Sequence, residues 1–237
     1  METITKENLC IIIITYNPTD NNYVNLSKWA LDNCDNVIVV DNGSQGQTKI
    51  AQNLPDGVNI IKLQKNHGIS GAVNMALSKI REGSYRYILT FDQDSFPPKD
   101  LLNAYNYVLR REINVGLLGV NFYPPKINSS SMELVYRHSL DQITSGLLHN
   151  VEIFKSVGLY NEKLFIDCVD FEYTLRVKSA GYDTFMIDNI SLTHTIGNPK
   201  IVKLGFLTIQ SIPTPPAHKR KTSRHWLSRK DDRHLCQ

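Results

Sequence analysis

The sequence predicts an α/β protein with a mostly parallel central sheet flanked by helices. Three observations carry this. Leu9 to Thr15 is a continuous apolar, β-branched run; a run that does not alternate is the pattern of a strand buried on both faces. From there to Asp94, strand-like and helix-like segments alternate, giving three strand–helix units and a fourth strand. That order calls for a parallel sheet with helices on both sides. Finally, each of the four strands ends in polar residues: Thr15-Tyr16-Asn17, Asp41-Asn42, Asn66-His67-Gly68 and Asp92-Gln93-Asp94. Ligands of such sheets bind outside the carboxyl ends of the strands.

Each element follows from its own pattern. Tyr16-Asn17-Pro18 ends the first strand, and Asn22 to Asn33 places Leu26, Trp29 and Ala30 at helical spacing. Val37 to Val40 is a second buried strand, closed by Asp41-Asn42-Gly43-Ser44, and Lys49 to Leu54 is a short helix. Val58 to Leu63 is a third strand. Ser70 to Arg81 is an amphipathic helix with Ser70 as its cap and Ala72, Val73, Ala76, Leu77 and Ile80 on one face. Tyr87 to Phe91 is the fourth strand, and Phe96-Pro97-Pro98 is expected to stop regular structure after the second acid. Beyond it come a helix over Pro98 to Arg111, a strand over Asn114 to Phe122, a mobile loop over Pro124 to Met132, a strand-like piece at Ser145 to Asn150, helices over Val151 to Val157 and Phe171 to Lys178, and short strands at Tyr182 to Ile187 and Ile190 to Thr195. The pattern weakens after Gly205. Residues 1–210 are read as one domain, with 9–97 binding a nucleotide sugar and 98–210 binding its acceptor; 211–237 is read as a disordered or poorly packed basic tail.

Composition narrows the classes. The chain has 237 residues, 41% hydrophobic and 21% charged, which excludes fibres and wholly disordered chains. No apolar run reaches the roughly 18 residues that span a bilayer. The net charge of +3 is uneven: seven Lys/Arg and two Asp after residue 216 leave the rest slightly acidic, so no nucleic acid is expected as a partner. The tail offers anionic lipid about 1 kcal/mol per basic residue near the surface; the competing reading is a solvated end. The four cysteines form no Cys-x-x-Cys pair and are expected as thiols of a cytoplasmic protein, possible peripheral contact with the inner face of the membrane included.

Asp92 and Asp94 lie two residues apart at a strand end, so both carboxylates can converge on one cation. Mg²⁺ or Mn²⁺ suits such oxygen ligands, with phosphates completing the shell; the competing reading is an Asp-rich turn. Asp170 stands in a second acidic stretch, Phe165-Ile166-Asp167-Cys168-Val169-Asp170-Phe171-Glu172. It serves either as a helix cap or as a general base for an acceptor hydroxyl. Asp170, Glu172 and Arg176 are not all expected to serve packing. His194 follows a strand and either packs or completes a metal shell. Thr15, Tyr16, Asn17, Asp41 and Asn42 suit a nucleoside, with an aromatic to stack and side chains to hydrogen-bond base and ribose; ordinary turn chemistry is the alternative. There is no Gly-x-Gly-x-x-Gly after the first strand and no P-loop.

Five pieces, in order, resemble the family 2 glycosyltransferases of the GT-A fold, and within them the bacterial rhamnosyltransferase-like group: Ile14 to Pro18, Val39 to Ser44, Asn66 to Asn74, Phe91 to Ser95 and Phe165 to Arg176. The resemblance implies an inverting, metal-dependent transfer from a nucleotide sugar. It implies a cation on Asp92 and Asp94 with His194 at the metal or diphosphate, Asp170 as base, and donor contacts extending to Asn66, Gly68, Gly71, Asn74, Asp92 and Gln93. Asp-Gln-Asp-Ser points to dTDP-rhamnose, and the acceptor implied is a saccharide or lipid-linked saccharide of a surface polysaccharide such as an O-antigen. The family's frequent Glu-Asp pair reads Val169-Asp170 here, which keeps Asp167 in play. The segment after Gly197 departs from the family, so a truncated relative that binds nucleotide sugar without turnover is one alternative. A nucleotidyltransferase is another, disfavoured because Thr15 to Asn22 holds no basic residue.

Overall fold

A computed structural model of the chain describes residues 2–80, 85–121, 133–194, 200–204 and 207–211, with side chains up to Thr193. The chain divides into two compact units, 1–194 and 195–237.

The first unit runs β1 (Leu9–Thr15), α1 (Asn22–Asn33), β2 (Asn36–Asp41), α2 (Gln47–Asn53), β3 (Val58–Lys62), α3 (Gly68–Lys79), β4 (Tyr87–Asp92), β5 (Ser95–Phe96), α4 (Leu101–Leu109), β6 (Val115–Asn121), β7 (Tyr136–His138), β8 (Leu147–Asn150), α5 (Glu152–Ser156), α6 (Val169–Ser179), β9 (Asp183–Ser191) and β10 (Thr193–His194). Eight strands form one sheet in the order β3-β2-β1-β4-β8-β6-β9-β7. The first four are parallel, as expected. The far side is mixed: β8 runs antiparallel to both β4 and β6, β6 and β9 are parallel, and β7 is antiparallel to β9. Within the second unit, β11 (Lys200–Leu204) and β12 (Leu207–Ser211) pair as an antiparallel hairpin.

Strand alternation sorts the core into two layers. Ile11 and Ile13 of β1, with Val37, Val39, Leu89 and Phe91, face Leu26 and Ala30 of α1 and Leu101, Tyr105 and Val108 of α4. Cys10, Ile12 and Ile14, with Ile38, Val40 and Ile88, face Ala72, Val73 and Ala76 of α3 and Val169, Tyr173 and Val177 of α6. Every residue of β1 is buried, and each large apolar side chain so placed contributes about 1.5–3 kcal/mol. The continuous apolar run is thus the middle of the sheet.

Several expectations shift. Helix α3 starts at Gly68, not Ser70, and the Ser70 hydroxyl donates to the Leu164 carbonyl (2.6 Å) instead of capping. The two late strands expected at 182–195 are one long strand, β9, followed by β10. Regular structure does not stop after Asp94, because Ser95 and Phe96 pair with His194 and Thr193. Cys10 and Cys34 are buried thiols, but Cys168 is disulfide-bonded, a correction to its reading as a thiol. The loop expected at 124–132 and the tail after 211 lie outside the described residues. No helix among the described residues is long and apolar enough to cross a membrane.

Candidate active site

The ends of β2, β1 and β4 sit side by side, with Thr15 in register with Asp41 and Ile14 with Asp92. Side chains staple the loops that leave them. The Tyr16 N–H donates to Gln93 Oε1 (2.8 Å), the Asn17 N–H to Ser44 Oγ (2.8 Å) and the Gln45 N–H to Asn17 Oδ1 (3.0 Å). Asn17 adopts φ 46°, a left-handed conformation that Asn tolerates better than most residues. The Thr15 hydroxyl donates to the Val40 carbonyl (3.3 Å). Asp41 is fully buried; its Oδ1 accepts the Ser44 N–H (3.0 Å) and its Oδ2 has no hydrogen-bond partner. A buried acceptor left unpaired is costly, so this oxygen suits an N–H supplied by a ligand. Tyr16, 38% exposed, follows Thr15, the residue in register with Asp41, at the open end of β1.

The third strand end is held differently. Asn42 Nδ2 donates to Asn66 Oδ1 and to the Gly68 carbonyl (both 3.0 Å), while Asn42 Oδ1 accepts the His67 N–H (2.9 Å). Gly68 has φ +74°, and a Cβ there would lie 2.2 Å from the Phe165 carbonyl oxygen. Residues 160–165 lie along α3 through the Ile69 N–H to Phe165 bond (2.9 Å) and through Asn74, whose amide donates to the Tyr160 carbonyl and Glu162 Oε1 (both 2.9 Å). Gly71 packs on His67, with a Cβ there 2.7 Å from His67 Cβ. The structure therefore gives Asn42, Asn66, Gly68, Gly71 and Asn74 scaffolding contacts that join the second and third strand ends to the segment before α6.

That segment delivers Asp170. Cys168 precedes α6 with φ 62°, and no side chain caps the helix, so Asp170 sits inside the first turn rather than ahead of it. The Thr144 hydroxyl donates to Asp170 Oδ1. Burial pushes the Asp170 carboxyl up to about 6, against the Thr144 hydrogen bonds that favour its charged form. Burial, followed by the like charges of Asp94 and Asp170, pushes the Asp92 carboxyl up to about 7. The charges of Asp94, in the turn after β4, and of Asp170, on α6, thus both act on Asp92 at the end of β4. The Asp92 N–H donates to Ser145 Oγ (3.1 Å), and the Ser145 and Ser95 hydroxyls share a hydrogen bond. The β5–β10 pairing sets the backbone of His194 opposite Ser95, the residue after Asp94. Asp167 is exposed.

Thr144 and Ser145, to which the sequence reading gave no functional role, hydrogen-bond Asp170 and the Asp92 N–H; Ser145 was expected to begin a strand, and the structure places it in the turn before β8. Glu172 and Arg176 prove to be scaffold. They form an i,i+4 ion pair (2.5 Å), and Arg176 also donates to the Val157 and Leu159 carbonyls (2.8 and 3.0 Å). His149 is buried in the ring cluster of Phe154, Tyr160 and Tyr173, and burial pushes it down to about 4. It is therefore neutral, with Nε2 2.7 Å from the Tyr160 hydroxyl.

Among the described residues no group of three or more His, Cys, Asp or Glu is arranged to hold a metal ion. Two carboxylates at one strand end still fit a hard divalent cation, which typically takes one or two protein carboxylates and fills its shell with phosphate and water. The Asp92 carboxyl is raised first by burial and then by the like charges of Asp94 and Asp170, and a cation beside it would oppose both.

A family model and a curated relative show a glycosyltransferase. The chain belongs to glycosyl transferase family 2, whose model matches residues 10–151. It is 29% identical over 215 residues to the dTDP-rhamnosyl transferase RfbF of Shigella flexneri, covering 83% of this chain and 72% of that protein. Two solved structures share the fold. GalNAc-T7 with UDP, GalNAc and Mn²⁺ superposes with a TM-score of 0.63 at 11% identity, over 78% of this chain and 43% of that one. The mannosyltransferase PcManGT of Pyrobaculum calidifontis, in complex with GDP-Man and Mn²⁺, gives 0.60 at 14%, over 80% and 57%. The chain thus spans about half the length of these solved relatives.

Proposed function

We propose that the protein transfers a sugar, with inversion, from a nucleoside diphosphate sugar to a saccharide or lipid-linked saccharide acceptor in surface polysaccharide synthesis. The observation that carries this reading is that the consecutive residues Thr144 and Ser145 hydrogen-bond Asp170 and the Asp92 N–H, which brings two acids to the edge where the strand ends meet. Asp170 is the general base: at neutral pH most of it is ionised, and it can take the proton of an acceptor hydroxyl. The acceptor oxygen then bonds to the anomeric carbon as the bond to the diphosphate breaks, and the electron pair leaves with the phosphate oxygen. Asp92 and Asp94, with His194, would hold Mg²⁺ or Mn²⁺. When bound, the cation offsets the negative charge that builds on the departing diphosphate.

The nucleoside contacts follow the first two strand ends. Asp41 Oδ2, buried and without a partner, accepts an imide N–H such as that of thymine or uracil. Tyr16 offers a stacking face and the exposed Asn17 a polar side chain for the ribose, while Thr15 and Asn42, both buried, serve the nucleoside by fixing the strand ends behind them. The likeness to a dTDP-rhamnosyl transferase favours dTDP-rhamnose over other donors, and Gln93 between the two acids belongs to the same donor site. Asn66, Gly68, Gly71 and Asn74 serve the donor by fixing this edge.

The test is titration of dTDP-rhamnose and UDP-sugars with and without Mn²⁺, followed by product analysis with candidate acceptors. Mn²⁺-dependent binding of dTDP-rhamnose ahead of the UDP-sugars supports the reading. Binding with no turnover on any acceptor would favour an inactive relative instead.

A further inference from the structure

Thr144 and Ser145 are consecutive, both 2% exposed, and their hydroxyls go to different parts of the site. Thr144 donates to Asp170 on α6. Ser145 accepts the Asp92 N–H at the end of β4 and bonds the Ser95 hydroxyl of β5. The two residues form the bend and turn that lead into β8, and their hydroxyls leave it toward different partners, which lets one dipeptide reach two elements. We propose that this pair are positioning residues: one hydroxyl orients the proton-accepting carboxylate, the other fixes the strand end that carries the cation ligands, and the peptide between them sets the spacing. The proposal rests on the roles given above to Asp170 and Asp92.

The dipeptide is itself held on all sides. The Thr90 hydroxyl donates to the Thr144 carbonyl, and the Gly146 N–H donates to the Thr90 carbonyl (2.7 Å). The Tyr105 hydroxyl donates to the Gly146 carbonyl. Gly146 takes φ +72°, where a Cβ would lie 2.5 Å from Leu192 Cδ1, so the turn has little room to relax. Thr90, Tyr105 and Leu192 lie in or beside β4, α4 and β10. The two hydroxyls therefore extend from a rigid anchor and not from a loop that could adapt to either acid.

A hydroxyl that merely satisfies buried polarity would affect folding and not the balance between binding and turnover. The experiment compares Thr144→Val, Thr144→Ser and Ser145→Ala. Thr144→Val is expected to lower kcat by between about 10- and 100-fold with the donor KM changed less than about twofold, and Thr144→Ser to restore most of it. Ser145→Ala is expected to weaken Mn²⁺-dependent binding of dTDP several-fold. A fall in kcat that Thr144→Ser does not rescue, or unchanged dTDP binding in Ser145→Ala, overturns the proposal. A second readout needs no activity. Thr144→Val should lower Tm by about 2–4 °C in the wild-type background and by clearly less in Asp170→Ala. Equal losses in both backgrounds would show that the two side chains are not coupled. A wild-type protein that transfers no sugar would remove the functional reading and still leave this pairing decided.

Discussion

Gln93 and Tyr16 lie 77 residues apart, yet the Tyr16 N–H donates to Gln93 Oε1 at 2.8 Å. The side chain between Asp92 and Asp94 thus holds the open end of β1. In the proposed reading this bond joins the side of the edge that would hold the cation to the side that would hold the nucleoside. Gln93→Ala is expected to weaken binding of the nucleotide sugar by about 3–10-fold, the worth of one net hydrogen bond, with Mn²⁺ dependence retained. Calorimetry checks it; unchanged affinity would show that the brace is dispensable.

Asp170→Asn should cut turnover by at least about 100-fold, the usual contribution of a general base, and leave donor affinity within about twofold. In the wild type at saturating donor and Mn²⁺, kcat should fall on the acid side of about pH 6, where Asp170 gains its proton. A flat profile down to pH 5 would assign the base elsewhere, with Asp167 the nearest alternative.

The metal-free protein carries strain at Asp92. Its carboxyl, like that of Asp170, is raised in the folded state. The folded form therefore binds protons more tightly than the unfolded form, so the stability from these groups is fully present below about pH 4 and is lost as pH rises through 6 to 7. Asp92→Asn removes a charge whose burial costs on the order of 3 kcal/mol. It should raise Tm of EDTA-treated protein at pH 8 by at least about 4 °C and have little effect at pH 4. Mn²⁺ should raise Tm at pH 8 in the wild type and not in the variant. Scanning calorimetry at the two pH values decides it.

Gly68→Ala tests the clamp between α3 and the segment that leads to Asp170. The added methyl meets the Phe165 carbonyl oxygen at 2.2 Å in a backbone with φ +74°. A loss of roughly 2–4 kcal/mol is expected in urea unfolding, together with lower kcat, because Asp170 follows five residues after Phe165. A stable and fully active variant would show that this contact does not govern the base.

The first half of the fold was legible because β1, β2 and β4 are nearly continuous apolar runs ending in polar turns, a pattern that burial on both faces imposes, while β3, at the sheet edge, is only partly buried. Asp92, Asp94 and Asp170 could be picked out because carboxylates at strand or helix ends are chemically conspicuous. Three things could not be read. β5 and β10 are two residues each, too short for any periodicity, yet their pairing sets the His194 backbone opposite Ser95. Thr144 and Ser145 carry no functional signal of their own, since their role depends on partners 26 and 53 residues away. Glu172 and Arg176 looked chemical and are an ion pair that holds carbonyls, because charge alone does not reveal where a side chain points. Asn42, Asn66 and Asn74 illustrate the same limit: an amide can serve a ligand or a backbone, and here the backbone partners are in place.

The most direct test of the account is a dTDP-rhamnose titration with Mn²⁺ present and absent, run on the wild type and on Asp94→Ala. The account predicts binding that needs Mn²⁺ in the wild type and falls by at least about 10-fold in the variant, with transfer to a saccharide acceptor lost in parallel. Equal binding with and without Mn²⁺, or transfer undiminished in Asp94→Ala, would contradict it.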